Sequence, residues 1–204
     1  MNDSPCRLGL LGGTFDPPHV GHLMLAELAR EQLQLDKVLF LPAGQPPHKL
    51  HQPVSLPHHR LAMTRLAIAG NPGFALDTTD LDRPPPHYTM TLLPLLRQAY
   101  APCRLWLLLG GDSLRDLPTW HDPGRILRCC RLGVLPRPGA QIQWERLLET
   151  LPQLADNVDW LEGPSIALSG TQIRQWAAAG RSLRYLTPPG VIDYIQQQAL
   201  YRPG

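Results

Sequence analysis

Two apolar runs constrain this chain more than any other feature. Arg7–Gly12 and Arg104–Leu109 each lead directly into a pair of glycines, Gly12-Gly13 and Gly110-Gly111. A short, unbroken apolar run suits a strand buried on both faces, and paired glycines suit a tight turn where it ends. Lys37–Pro42 (KVLFLP) is a further strand of the same kind, and Phe74–Thr79, Arg131–Leu135 and Val158–Leu161 are shorter candidates. Helical spacing fills the gaps. Leu25, Leu28, Ala29 and Leu33 share one face of a helix over Val20–Leu33. Further helices are predicted over Leu56–Ala69, Thr89–Tyr100, Trp144–Leu151, Gly170–Ala179 and Pro189–Leu200, with Pro94 a difficulty inside the second of these five. Strands alternating with helices predict an α/β fold, a Rossmann-like, doubly wound and mainly parallel sheet flanked by helices, with a small C-terminal helical part. With no repeat and no linker, residues 1–204 read as one domain.

Composition narrows the function. Lys+Arg total 19 against 17 Asp+Glu, a net charge of +2, which lacks the basic excess of a nucleic-acid binder. No apolar run approaches the length of a membrane span. The 23 prolines are about 11% of the chain, roughly twice the usual share, and cluster as rigid loops between apolar segments. Cys6, Cys103, Cys129 and Cys130 form no C-x-x-C pair. Without a signal peptide, free thiols in a reducing cytoplasm are expected.

In an open parallel sheet, ligands bind beyond the carboxyl ends of the strands, so the glycine loops are where chemistry is expected. After the first strand comes Gly12-Gly13-Thr14-Phe15-Asp16-Pro17-Pro18-His19-Val20-Gly21-His22. Its glycines allow close backbone approach to a ligand, and the helix that follows offers unpaired N–H groups to an anion. His19 and His22, three apart, fall on one face of its first turn. A zinc pair is the competing reading, with His48, His51, His58 and His59 nearby, but these lack metal-ligand spacing. Near the other end, Ser169 is placed to cap a helix whose first turn carries Thr171 and Arg174, a second anion cradle.

The first stretch resembles the H-x-G-H signature of the nucleotidyltransferase superfamily. Leu168-Ser169-Gly170-Thr171-Gln172-Ile173-Arg174 resembles its I-S-x-T-x-I-R motif, with Leu168 for the usual Ile. The resemblance implies that His19, His22 and Arg174 act on nucleotide phosphates, and that Gly12, Gly13, Thr14, Phe15, Gly110, Asp112, Ser169 and Thr171 bind ATP. Segments in the middle resemble bacterial nicotinate-nucleotide adenylyltransferases. They include Pro46-Pro47-His48-Lys49, Arg83 to Thr89, Leu117-Pro118-Thr119-Trp120 and Arg137-Pro138-Gly139. This resemblance extends over nearly the whole chain. It implies adenylyl transfer from ATP to nicotinate mononucleotide, giving deamido-NAD and pyrophosphate, with Mg²⁺ held mainly by ATP phosphates and no protein metal site. His48, Lys49, Tyr88, Thr89, Trp120 and Arg137 are then expected to bind the mononucleotide. Trp120 is placed to stack on the pyridinium ring, against the alternative of a core tryptophan. Asp112 is either a ribose ligand, a helix N-cap, or both. His87 stands where the family often has Ser, and Leu92 where Thr is common. A sister adenylyltransferase acting on nicotinamide mononucleotide or phosphopantetheine, and a non-catalytic nucleotide sensor, are the alternatives.

Overall fold

The computed structural model describes residues 5–44, 54–136, 142–164 and 166–202. Six strands form one parallel sheet: β1 (Arg7–Gly13), β2 (Lys37–Pro42), β3 (Phe74–Leu76), β4 (Arg104–Gly110), β5 (Arg131–Leu135) and β6 (Val158–Trp160), in the order β3-β2-β1-β4-β5-β6. The order reverses between β1 and β4, and that switch point is where a doubly wound sheet opens a crevice.

The sheet is buried on both faces because alternate side chains point opposite ways. Along β2, Val38 and Phe40 enter one apolar cluster while Leu39 and Leu41 enter the other. Along β4, Trp106 and Leu108 divide from Leu105, Leu107 and Leu109 in the same way. One layer is led by α1 (Val20–Gln32), which buries Leu25, Ala26 and Ala29. The other is led by α4 (Thr89–Ala99), which buries Leu92, Leu93 and Leu96. Pro94 stands inside α4 on its less buried side, and the three buried leucines hold the helix through the missing N–H.

α2 (Pro57–Ile68), α9 (Gly170–Ala178) and α10 (Pro189–Gln197) pack together through Met63, Ala67, Ile173, Val191 and Ile195. This third cluster docks the C-terminal helices beside the loop that follows β1. The short helices α3 (Thr79–Asp82), α6 (Pro123–Cys129) and α8 (Leu154–Asn157) were not expected, and α5 (Gly111–Asp116) only as a helix start near Asp112. The remaining helix, α7, spans Trp144–Thr150. Among the described residues, no helix is long and apolar enough to cross a membrane.

The expectation of four free thiols is corrected. Cys6 and Cys103 are joined as a disulfide, with Cα atoms 4.5 Å apart, while Cys129 and Cys130 are free. The cause is register: Arg7 pairs with Arg104 across β1 and β4, so the residues just before them lie opposite one another. Burial pushes the Cys130 thiol up to about 12, which keeps it protonated and unreactive at neutral pH. Titration of unreduced, denatured protein with a thiol reagent is expected to detect two thiols, rising to four after reduction. Four thiols before reduction contradict the pairing.

Candidate active site

The loops after β1 and β4 open into a cavity of about 810 Å³ at the carboxyl end of the sheet. Backbone from Gly12, Gly13 and Thr14 lines one side, and nothing lies within 4 Å of where a Cβ on Gly12 would sit. Phe15 turns the chain with φ 50°, and its ring is buried on Phe40 at 5.7 Å. The same ring meets His22 edge-on at 5.0 Å, so Phe15 supports the loop with its side chain, and the residue also belongs to the cavity lining.

His19 is the N-cap of α1, and its ring stacks on that of His22 with centroids 3.7 Å apart. The backbone N–H of His19 donates to Nδ1 of His22 at 3.2 Å. A neutral His22 ring that accepts at Nδ1 carries its proton on Nε2, where it serves as a donor. A Cβ on Gly21 would stand 3.1 Å from the His19 ring, so this glycine makes room for the histidine stack.

The start of α9 forms the opposite wall. Ser169 is its N-cap, accepting from the Gln172 N–H at 3.3 Å, while the Ser169 N–H donates to Gln172 Oε1 at 3.0 Å. A Cβ on Gly170 would be 2.8 Å from the carbonyl oxygen of Asp16, a contact only glycine permits. Arg174 donates through Nη1 to that same carbonyl at 2.8 Å, and through Nη2 to Thr171 Oγ1 at 3.3 Å. Residues 158 positions apart therefore meet at one edge of one cavity.

Aromatic side chains also line the cavity. Tyr88 caps α4 and stacks on His121 at 4.4 Å, with Thr89 and Trp120 beside them. Trp120 follows a single 3₁₀ turn, Leu117–Thr119, and packs partly against the core while also lining the cavity.

The family model for cytidylyltransferase-like proteins matches residues 10–176, a span that includes both helix starts. A protein of Thermomicrobium roseum, named as a probable nicotinate-nucleotide adenylyltransferase, is 48% identical over 96% of this chain and 92% of its own length. One of the same name from a Roseiflexus species is 46% identical over 99% of this chain and 100% of its own length. The chain belongs to the nicotinate-nucleotide adenylyltransferase family. The fold is shared more widely. The solved nicotinic acid mononucleotide adenylyltransferase of Plasmodium falciparum, complexed with NaAD, superposes with TM-score 0.78 at 18% identity, covering 96% of this chain and 97% of that one.

Of the residues singled out from the sequence, Gly110 and Asp112 also line the cavity. Gly110, not Asp112, is the N-cap of α5; Asp112 lies in its first turn, 3.3 Å from Arg115. His48, Lys49 and Arg137 lie outside the described residues. Three residues that the family reading missed stand out. Asp16 is 4% exposed, and its carboxylate accepts from the Ser55 N–H at 3.0 Å and from the Tyr201 hydroxyl at 2.5 Å. Burial first, then the charge of Asp16, pushes the Tyr201 hydroxyl up, so it remains a donor. Arg60, 1% exposed, donates to four backbone carbonyls under the loops. Its one sequence signal is position. Arg60, Met63, Thr64, Ala67 and Ile68 are the buried residues of α2 at i, i+3, i+4, i+7 and i+8 spacing, and the stripe begins on a charge.

Replacing Tyr201 with Phe leaves a buried carboxylate oxygen short of a donor. A loss of about 1.5–3 kcal/mol in unfolding free energy is expected, read from denaturant melts. An unchanged midpoint contradicts the Asp16–Tyr201 bond.

Proposed function

We propose that this chain transfers the adenylyl group of ATP to the phosphate of nicotinate mononucleotide, releasing pyrophosphate and forming deamido-NAD. The observation that carries the reading is the shared cavity. It brings the first turns of α1 and α9 to one place and has the Tyr88–Thr89 helix start and Trp120 in the same lining.

The chemistry follows from the charges involved. The attacking atom is an oxygen of the mononucleotide phosphate, already an anion, so no general base is required. That oxygen bonds to the α-phosphorus of ATP in line, and the bond from α-phosphorus to the bridging oxygen breaks toward pyrophosphate. Catalysis then consists of alignment and of donors aimed at phosphate oxygens. His19, His22 and Arg174 are assigned as those donors. Backbone N–H groups at the starts of α1 and α9, with Gly12, Gly13, Thr14, Ser169 and Thr171, bind the ATP phosphates and sugar together with Asp112. Tyr88 and Thr89 take the ring acid, with an unpaired helix N–H facing its charge, and Trp120 stacks on the ring. His48, Lys49 and Arg137 complete the mononucleotide set in this reading.

Mg²⁺ fits as an ion carried on ATP. The carboxylates at the cavity are engaged: Asp16 by Ser55 and Tyr201, Asp80 by Arg83 and the Gly44 N–H, and Asp112 and Asp116 by Arg115. Among the described residues, no group of three or more His, Cys, Asp or Glu side chains is gathered for a metal. That donor set favours coordination by phosphate oxygens and water, where the ion offsets phosphate charge.

Pyrophosphate release measured with ATP, Mg²⁺ and a panel of nicotinate mononucleotide, nicotinamide mononucleotide and phosphopantetheine tests the reading. Turnover is expected to be highest with nicotinate mononucleotide. A preference for either other acceptor, or ATP binding without release, overturns it. His22→Ala is expected to lower kcat by about 10²-fold or more in a protein with an unchanged far-ultraviolet spectrum; unchanged turnover removes His22 from the mechanism.

A further inference from the structure

We infer that Arg60 is a positioning residue of the transfer site: it fixes the distance between the phosphate end of the cavity and the mononucleotide end. The inference rests on the adenylyl-transfer reading and deepens it.

Arg60 comes from α2 and touches neither helix start. Its guanidinium donates through Nη1 to Thr14 O at 2.9 Å and Ala43 O at 2.7 Å, through Nη2 to Gly44 O at 2.9 Å, and through Nε to Ser55 O at 3.1 Å. Thr14 belongs to the histidine loop after β1, and Ala43 and Gly44 to the loop after β2. One planar fork thus ties two loops together, and the Ala43 N–H adds a direct bond to Gly13 O at 2.8 Å. Burying this charge is costly, and desolvation lowers the arginine's pKa against the pull of Asp16 and Asp80. An apolar side chain in the same stripe would avoid that cost but could not hold the loops.

The tie continues in both directions. On one side, the Ser55 N–H donates to the Asp16 carboxylate, and the Asp16 carbonyl holds Arg174. On the other, the Gly44 N–H donates to Asp80 Oδ2 at 3.1 Å, and Asp80 Oδ1 accepts from Arg83 Nε at 2.7 Å. Arg83 also donates to the carbonyls of Pro86 and Tyr88, at 3.0 and 3.1 Å, and to Thr91 Oγ1 at 2.8 Å. An unbroken line of hydrogen bonds therefore runs from Arg174 to the start of α4, with Arg60 at its middle. His87 closes the same corner, so tightly that a Cβ on Gly44 would be 2.2 Å from its ring.

In-line transfer needs attacking oxygen and phosphorus roughly 3–3.5 Å apart, and an error of about 1 Å can cost 10²-fold in rate. Each end of the cavity binds its substrate with its own groups. Loosening the tie between the ends should therefore reduce turnover more than affinity.

The test uses Arg60→Lys in the full chain, with Arg83→Lys as the second variant. A lysine keeps the charge but cannot reach both loops in one plane. For a folded Arg60→Lys, kcat is expected to fall roughly ten- to hundredfold while KM for ATP and for nicotinate mononucleotide stays within about threefold. Arg83→Lys is expected to show the same split, and decides alone if Arg60→Lys does not fold. Unchanged kcat, or a rise in KM with kcat intact, overturns the inference. Amide exchange without substrate gives an independent reading. In Arg60→Lys, exchange at Gly44, Thr91 and Leu92 is expected to quicken at least tenfold, with Leu107 and Leu108 in β4 unchanged. Equal rates overturn the tie. If the wild type releases no pyrophosphate with any acceptor, the adenylyl-transfer reading fails, and the exchange result still decides whether Arg60 joins the two loops.

Discussion

The contact between Arg174 and the Asp16 carbonyl is the constraint on which the rest depends. It joins the first turn of α9 to the loop after β1, two places with nothing in common in the chain except their charge complement. The C-terminal segment reinforces it. Thr187 donates to Pro18 O at 2.7 Å, the Val20 N–H donates to Leu186 O at 3.0 Å, and Tyr201 reaches Asp16. The third apolar cluster supplies the burial that keeps these residues in place. Without that docking, two helix starts would each be a weak anion site. With it, the two helix starts border one cavity.

The polar groups that do this work are buried, which makes the arrangement stiff. Asp16, Arg60 and Asp80 are each 5% exposed or less, and each is hydrogen-bonded to backbone groups or to a partner side chain. Low dielectric strengthens such bonds and makes their loss expensive, so the loops have one favoured position. A preorganised site of this kind suits a reaction whose nucleophile needs no activation and whose barrier lies in bringing charged groups into line.

Much of the fold was legible because its strands are short apolar runs and its longer helices carry regular stripes. Arg7–Gly13, Lys37–Pro42 and Arg104–Gly110 all fall within a residue of the expected ends. Of the helices of seven residues or fewer, α7 was legible and α5 only as a helix start near Asp112; α3, α6 and α8 were not, since so short a segment leaves little periodicity to separate from loop. The histidine and Ser-x-Thr-x-x-Arg turns could be found because a recurring motif marks them. Arg60 and Tyr201 could not, because their partners are backbone atoms or residues far away in sequence, and the place of Arg60 in the buried stripe of α2 does not say what it bonds. The Cys6–Cys103 pair was hidden for a related reason: it depends on the register of two strands 97 residues apart.

A crystal structure with a non-hydrolysable ATP analogue tests the central claim most directly. The account predicts phosphate oxygens within hydrogen-bonding distance of His19 or His22 on one side, and of the Ser169–Thr171 turn and Arg174 on the other, in one and the same nucleotide. A triphosphate held by only one of the two helix starts, or bound away from the cavity between them, contradicts it.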